Sequence, residues 1–244
     1  MKTFNIITVI ILTIGLIFGT YILGNAYKYK FKTNETIEVT GSGQKDFSAD
    51  LIIWNANFQI KDFDLSVASQ KLSADKQRVQ TYLTNQGIKS NEIVFSAVSI
   101  DKDFEYRYDS NGNSQRIFSG YLLNQSVEVK SKDLDRIENV SREISDLISQ
   151  GIELNSSMPN YYYSGLEDLK LELIAEATEN ARKRAENIAE KSNADLGDLI
   201  QARMGVFQIT GQYSDEDFTY GGVYNTTSKD KTANITVKLK FKIN

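Results

Sequence analysis

Residues 166–197 read LEDLKLELIAEATENARKRAENIAEKSNADLG, and this stretch decides the fold. Projected at about 100° per residue, Leu166, Leu169, Leu173, Ile174, Ala177, Ala181, Ala185 and Ile188 share one broad face. Glu172, Glu176, Glu179, Lys183, Glu186 and Glu190 gather opposite. The pattern predicts an amphipathic helix that stops at Asn193-Ala194-Asp195-Leu196-Gly197. Its apolar side changes from Leu and Ile to mostly Ala toward the C-terminus, so the later turns can approach a neighbouring backbone closely, as on a sheet. Glu179 lies four residues before Lys183, which adds a little helical support.

Downstream, residues 199–209 read as a strand, followed by a polar, Tyr-bearing loop over 211–230 whose acidic run Asp215-Glu216-Asp217 reads as solvated. Residues 232–243 then alternate strictly. Ile235, Val237, Leu239, Phe241 and Ile243 point one way, and Thr236, Lys238, Lys240 and Lys242 the other. This is a strand half-buried against helices, and its Lys row also suits an edge that must not pair further.

Upstream, Ile37 and Val39 alternate within residues 35–41, and residues 51–60 form a second strand with Ile53, Phe58 and Ile60. Gly41-Ser42-Gly43 between them reads as a turn or bulge. A G-x-G with no third Gly and no helix behind it is not a phosphate loop. A first helix follows, with Asp64 as N-cap, Leu65, Ala68, Leu72, Val79 and Leu83 on one face, and Gly87 as terminator. Residues 88–100 return to strand through Ile93, Phe95, Val98 and Ile100, and a hairpin joins Phe104-Glu105-Tyr106-Arg107-Tyr108 to a strand over 117–129.

The hairpin loop holds Asp109, Asn111 and Asn113, whose alternate spacing invites comparison with a calcium loop. Gly112 is fourth rather than sixth, and the twelfth position is Gly120 rather than Glu, so Asn-Gly is read as a hairpin turn. A second helix over 133–149 carries Leu134, Ile137, Val140, Ile144 and Leu147 and ends at Gly151. Ile152 and Leu154 then lead past Pro159 to Tyr161-Tyr162-Tyr163, read as alternating core and rim aromatics. The order of elements predicts an α+β fold, an antiparallel or mixed β-sheet layered with amphipathic helices, and not a doubly wound nucleotide fold.

The chain has 244 residues, 41% hydrophobic and 25% charged, with no Cys and no His. That composition supports a packed core. It also excludes disulfides, zinc-thiolate sites, and Ser-His-Asp or Cys-His catalysis within one chain. An enzyme would need carboxylate, Lys or Tyr chemistry. Asp101, Asp103 and Glu105, beside Tyr106 and Tyr108, would share one strand face, which makes a carboxylate-dependent hydrolase of envelope glycan the enzymatic alternative. No partner group completes that set. No catalytic, cofactor-binding or metal residue is therefore assigned, and no cofactor is expected.

The formal charge is −4, but the first 32 residues hold four Lys and no acid, so 24 basic against 32 acidic residues leave the body at −8. Basic residues are scattered among acids, so nucleic acid is not an expected partner.

Residues 4–23 contain no charge and are rich in Ile, Leu and Phe. At about 20 residues the run is long enough to cross a bilayer and too long for a typical signal-peptide core. It reads as a transmembrane signal anchor, giving residues 1–32 as anchor and juxtamembrane Lys segment and residues 33–244 as the body. The competing reading is a signal peptide cleaved after Ala26, leaving a secreted or periplasmic body. Lys28, Lys30 and Lys32 follow the span, which taken literally would place the body in the cytoplasm. Export is preferred, because N-terminal apolar segments with almost nothing before them normally export the chain behind them.

Ile37-Glu38-Val39-Thr40-Gly41-Ser42-Gly43 with Asp50, Gly87-Ile88 with Asn91-Glu92-Ile93, and Gly120-Tyr121 with Asn124, Val127 and Val129 together resemble the SIMPL-domain family, also called YggE-like periplasmic proteins. The segment Ala177, Ala181, Arg182, Lys183, Ala185, Ala189 and Leu196-Gly197 matches that family's Ala-Arg helix and Leu-Gly terminator, and the final alternation fits its last strand. The resemblance covers nearly all of residues 35–243. Two positions depart from it: Ala49 stands where the family usually has Pro, and Asn193-Ala194 where it usually has Gly. The resemblance implies an exported α+β domain, self-association in some members, an association with oxidative-stress defence, and no established catalytic residues. The leading expectation is a non-enzymatic, membrane-anchored envelope protein that forms a homo-oligomer or binds partners through strand edges and Tyr-rich loops. For a small-molecule or lipid-binding module between sheet and helices, the residues argue neither way.

Overall fold

The computed structural model describes residues 2–32, 35–108 and 112–243. In chain order the elements are α1 (Lys2–Lys32), β1 (Thr36–Ser48), β2 (Leu51–Asp62), α2 (Leu65–Asn85), β3 (Ile93–Phe95), β4 (Ser99–Tyr108), β5 (Ser114–Ser131), α3 (Leu134–Glu143), α4 (Asp146–Ser149), β6 (Leu154–Ser156), β7 (Asn160–Tyr162), α5 (Leu166–Lys191), β8 (Leu196–Met204), β9 (Gln208–Gly211) and β10 (Asp230–Ile243). All pairing between these strands is antiparallel, and the class is α+β as expected.

The strands divide into two sheets, each with its own core. In the first, β10 lies between β1 on one side and β8 and β9 on the other, and α5 covers β1 and β10. Ile235, Val237, Leu239 and Phe241 are buried beneath the helix, as the alternation requires. Because β10 is the central strand, its Lys row cannot guard an edge; it lines the outer face of the sheet instead.

Gly41-Ser42-Gly43 is neither turn nor bulge. All three residues lie inside β1 and pair in unbroken register with Val237, Thr236 and Ile235. Glycine is needed because the helix rests on the strand backbone. A Cβ on Gly41 would lie 2.2 Å from the Ala177 carbonyl oxygen, and one on Gly43 2.5 Å from that of Leu173.

Helix α5 buries Leu169, Leu173, Ala177, Ala181, Ala185 and Ala189, an unbroken row at i, i+4. Ile188, expected inside, is 46% exposed, and Ile174 is only half-buried. A helical wheel averages over the whole length, whereas each step of four residues rotates the contact by about 40°. The buried direction therefore turns along the helix, and after five steps it has left Ile188 behind.

The helix also stops earlier than expected. Ser192 is its C-cap and Asn193 takes a left-handed φ of 53°. Asn193 N donates to Glu190 O at 3.2 Å and Ala194 N to Ala189 O at 3.0 Å, closing the last turn as a Schellman motif. Leu196-Gly197 already belongs to β8.

In the second sheet β2 and β5 are central. β3 and β4 pair with β5, and β6 and β7 with β2, while α2 and α3 pack on one face. Trp54, Phe58, Leu72, Leu123 and Ile137 anchor this core. Asp64 caps α2 as expected, accepting from Ser66 N at 2.7 Å and Val67 N at 3.1 Å. Asp64→Ala should cost about 1 kcal/mol in chemical denaturation, and an unchanged midpoint would remove the cap from the account. Leu65 faces solvent rather than the core, and Asp75 takes a place on the buried stripe.

Three elements break where continuity was expected. Residues 88–100 divide into a 3-10 turn at Ser90–Glu92, the short β3, and the start of β4. The second helix breaks between Glu143 and Asp146, and residues 199–209 divide into β8, which begins at Leu196, and β9. The hairpin expected around residue 112 joins β4 to β5. Asp109, Ser110 and Asn111, on which the turn and calcium-loop readings rest, lie outside the described residues.

The three consecutive Tyr are half-buried. Tyr161 donates to Glu138 Oε1 at 3.2 Å, Tyr162 approaches Tyr224 with ring centroids 6.5 Å apart, and Tyr163 packs on Phe47 at 4.9 Å. Helix α1 contains 19 residues, Ile10–Lys28, long and apolar enough to cross a membrane, and none is buried against the body.

Candidate functional site

The acids singled out in the sequence do share the hairpin strand β4, but their surroundings are structural. Asp103 pairs with Lys61 Nζ at 2.7 Å and accepts from Phe104 N at 2.9 Å and Ser119 Oγ at 3.1 Å. The Lys61 hydrogen bond, with help from Phe104 N and Ser119, holds this carboxyl below its ordinary range. Glycoside cleavage pairs a carboxyl kept protonated, to donate to the leaving group, with a second that stays ionised, and an ion-paired Asp103 is unsuited to the first role. Asp103 instead fixes the register shift between β4 and β5 at Asp103/Phe104, opposite Gly120. Asp101 accepts from Ser99 Oγ at 3.1 Å. Among the described residues no three acidic side chains gather as a metal site.

A cleft of about 640 Å³ opens along the second sheet and is closed on one side by Lys229 from the first. Several of its polar groups are committed to one another. Glu92 accepts from Lys89 N at 3.0 Å and Ser131 Oγ at 2.7 Å, and Arg136 reaches Asp133 at 2.8 Å and Gly87 O at 2.9 Å. Lys229 pairs with Asp135 at 2.6 Å and Glu138 at 3.3 Å. The cleft is a seam that joins the sheets.

Asp50, in the link between β1 and β2, makes a separate junction outside the cleft. Its N–H donates to Tyr162 O at 3.0 Å, and its carboxylate accepts from Ser164 N at 2.7 Å and from Ser164 Oγ. Burial works against the charged form, but the two Ser164 bonds outweigh it and hold the carboxyl below its ordinary range.

The loop between β9 and β10 is built around a polar interior. Lys231 is 1% exposed and donates to Asn225 O at 2.5 Å and Asn225 Oδ1 at 3.3 Å. Asn225 Nδ2 donates to Glu216 Oε1 at 2.6 Å, and Glu216 Oε2 accepts from Gly211 N at 2.9 Å. Asp215, Glu216 and Asp217 are all exposed, as expected of a solvated run, and Glu216 in addition anchors the loop through these bonds. Burial lowers the Lys231 ammonium to about 8, against the attraction of Glu216. The loop so fixed holds Tyr213, Phe218 and Tyr220 out in solvent. The signal for Lys231 was present in the sequence: it lies in phase with Ala233 and Ile235, an inward position of the β10 alternation.

Among the described residues strand β8 pairs with β10 alone, and α5 hardly reaches it. Met204, Ala202 and Leu199 pair with Val237, Leu239 and Phe241 and so face the helix side, yet all three are exposed. This is an apolar flank beside an open row of backbone donors and acceptors.

The Gly41 and Gly43 seat under α5, the row of Ala on that helix and the turn leading into Leu196-Gly197 are the features that carried the resemblance. The SIMPL family, described as a protein of unknown function (DUF541), matches residues 37–241. The chain belongs to the SIMPL family. No curated protein matches it. Both departures of this SIMPL chain have a structural account. Ala49 N donates to Lys229 O at 2.9 Å, a bond that Pro could not make, and Asn193 supplies the left-handed residue for which Gly is usual.

Proposed function

We propose that this SIMPL protein is a non-enzymatic envelope protein, anchored by α1 with its body in the periplasm, that assembles with further copies through the β8 edge. The observation that carries assembly is β8 itself. It is nine residues long, unpaired on one side among the described residues, and flanked by exposed Leu199, Ile200 and Met204. An apolar edge of this length is a template for strand addition or face-to-face burial. The apolar length of α1 supports the anchor. The absence of His and Cys, together with the commitment of Asp103 to Lys61, supports a role without catalysis. A contribution to oxidative-stress defence belongs to this reading through the family resemblance.

Light scattering on residues 33–244 after size exclusion should give a mass several times that of one chain. Leu199→Lys/Met204→Lys should return it to a monomer without changing its circular dichroism. A strict monomer at high concentration removes assembly from the account.

A further inference from the structure

We propose that the outer face of the first sheet, at the end where β1 begins and β10 finishes, seats on anionic phospholipid headgroups of the bilayer that α1 enters. The inference rests on the anchored reading above. Chain length supplies the first argument. Lys32 ends α1 and Thr36 starts β1, so at most about 14 Å of extended chain separates them. The apolar run of α1 ends at Lys28, about 6 Å before Lys32, so Thr36 and the Lys242 paired with it lie within roughly 20 Å of the bilayer, a distance from which this end of the sheet can reach it.

Charge supplies the second. The outer face carries Lys238, Lys240 and Lys242 from β10 and Arg203 from β8, against Glu38 from β1 and Asp198 from β8. Lys238 is committed to an ion pair with Glu38. That hydrogen bond is the main reason the Glu38 carboxyl lies below its ordinary range, with Lys240 and Arg203 adding to the same field. Four cations thus stand against Glu38, Asp198 and, just before β1, Glu35, an excess of one on a body whose overall charge is negative, and Lys28 near the end of α1 adds to it. Basic residues that come within a Debye length of a bilayer, about 8 Å at physiological salt, are drawn to its anionic headgroups.

Polarity along the sheet supplies the third. The 14 residues of β10 place Asp230 roughly 45 Å from Ile243. At that far end stand Asp215 and Asp217 among the exposed Tyr213, Phe218 and Tyr220. An acidic tip is repelled by anionic headgroups, so the two ends of the sheet differ in sign as well as in distance from α1.

The test uses the full chain in vesicles of phosphatidylcholine alone or with about a third phosphatidylglycerol. The chain has no Cys, so Thr40→Cys on the outer face and Tyr220→Cys at the far loop take single fluorescent labels. Flotation reports anchoring, and a headgroup-tethered quencher reports seating. Quenching at Thr40→Cys should rise at least about twofold in the anionic vesicles and fall back at about 0.5 M salt or in Lys240→Gln/Lys242→Gln, with no rise at Tyr220→Cys. Equal quenching at Thr40→Cys in both lipids, from chain that floats, overturns the seating and leaves the anchor. An equal rise at both labels overturns it too. Chain missing from the floated vesicles ends the anchored reading and this inference with it.

Discussion

Gly41→Ala is expected to destabilise the first sheet by about 3 kcal/mol or more. The added carbon would lie 2.2 Å from Ala177 O and 2.3 Å from Ala181 N. Both are helix backbone, so neither can rotate aside, and α5 must lift from the strand along its Ala row. Approached from the other side, Ala181→Leu should cost about 1–3 kcal/mol by overpacking the same contact. Ala181→Gly should not rescue Gly41→Ala, because the clash with Ala177 O remains. Ser42→Ala, exposed on the same strand, is the control and should stay within about 0.5 kcal/mol. Urea denaturation followed by circular dichroism measures all four, and wild-type stability in Gly41→Ala would mean that helix and strand are not seated as described.

The second large effect is in pH. The Lys231 ammonium titrates at about 8 when folded and at 10.5 in the ordinary state. Between those values the unfolded chain holds a proton that the folded chain has released, so stability rises with pH across this window. The shift corresponds to at most about 3 kcal/mol. Other Lys and Tyr side chains titrate nearby, so the measurement is the difference between wild type and Lys231→Met. Wild type should gain stability from pH 8 to 10.5 relative to the variant. Parallel curves would show that the Asn225 oxygens satisfy the ammonium well enough to cancel its desolvation. Below pH 8 the cost of keeping Lys231 charged and buried is offset by its hold on the loop through Asn225.

Several parts of this structure were legible because their cause is local. The Asp64 cap needs only its own side chain and the next three residues, and the strict alternation of β10 states which side chains enter a core. Helix α5 was visible in its composition, and the family in the combination of that helix with the Gly41 to Gly43 segment. The α+β class followed from the order of these elements.

What escaped depends on which backbones meet. Gly41-Ser42-Gly43 looks like a chain break until α5 is known to lie on it, because glycine serves turns and close approaches equally well. Ile188 looks buried on a straight projection, and only the rotating contact along the i, i+4 row puts Ala189 inside in its place. The Lys row of β10 has one pattern whether the strand is central or at an edge. Hydrogen bonding between segments distant in sequence decides that, and it made β10 the centre and β8 the open edge. The acids of β4 alternate as a catalytic set would, yet Lys61, from β2 on the other side of β5, fixes Asp103 as an ion-paired anchor. The sequence by itself therefore determined the main helices and strands, most of their inward positions and the family. Tertiary structure alone decided which faces remain uncovered, since coverage is set by the placement of helices and strands from remote parts of the chain.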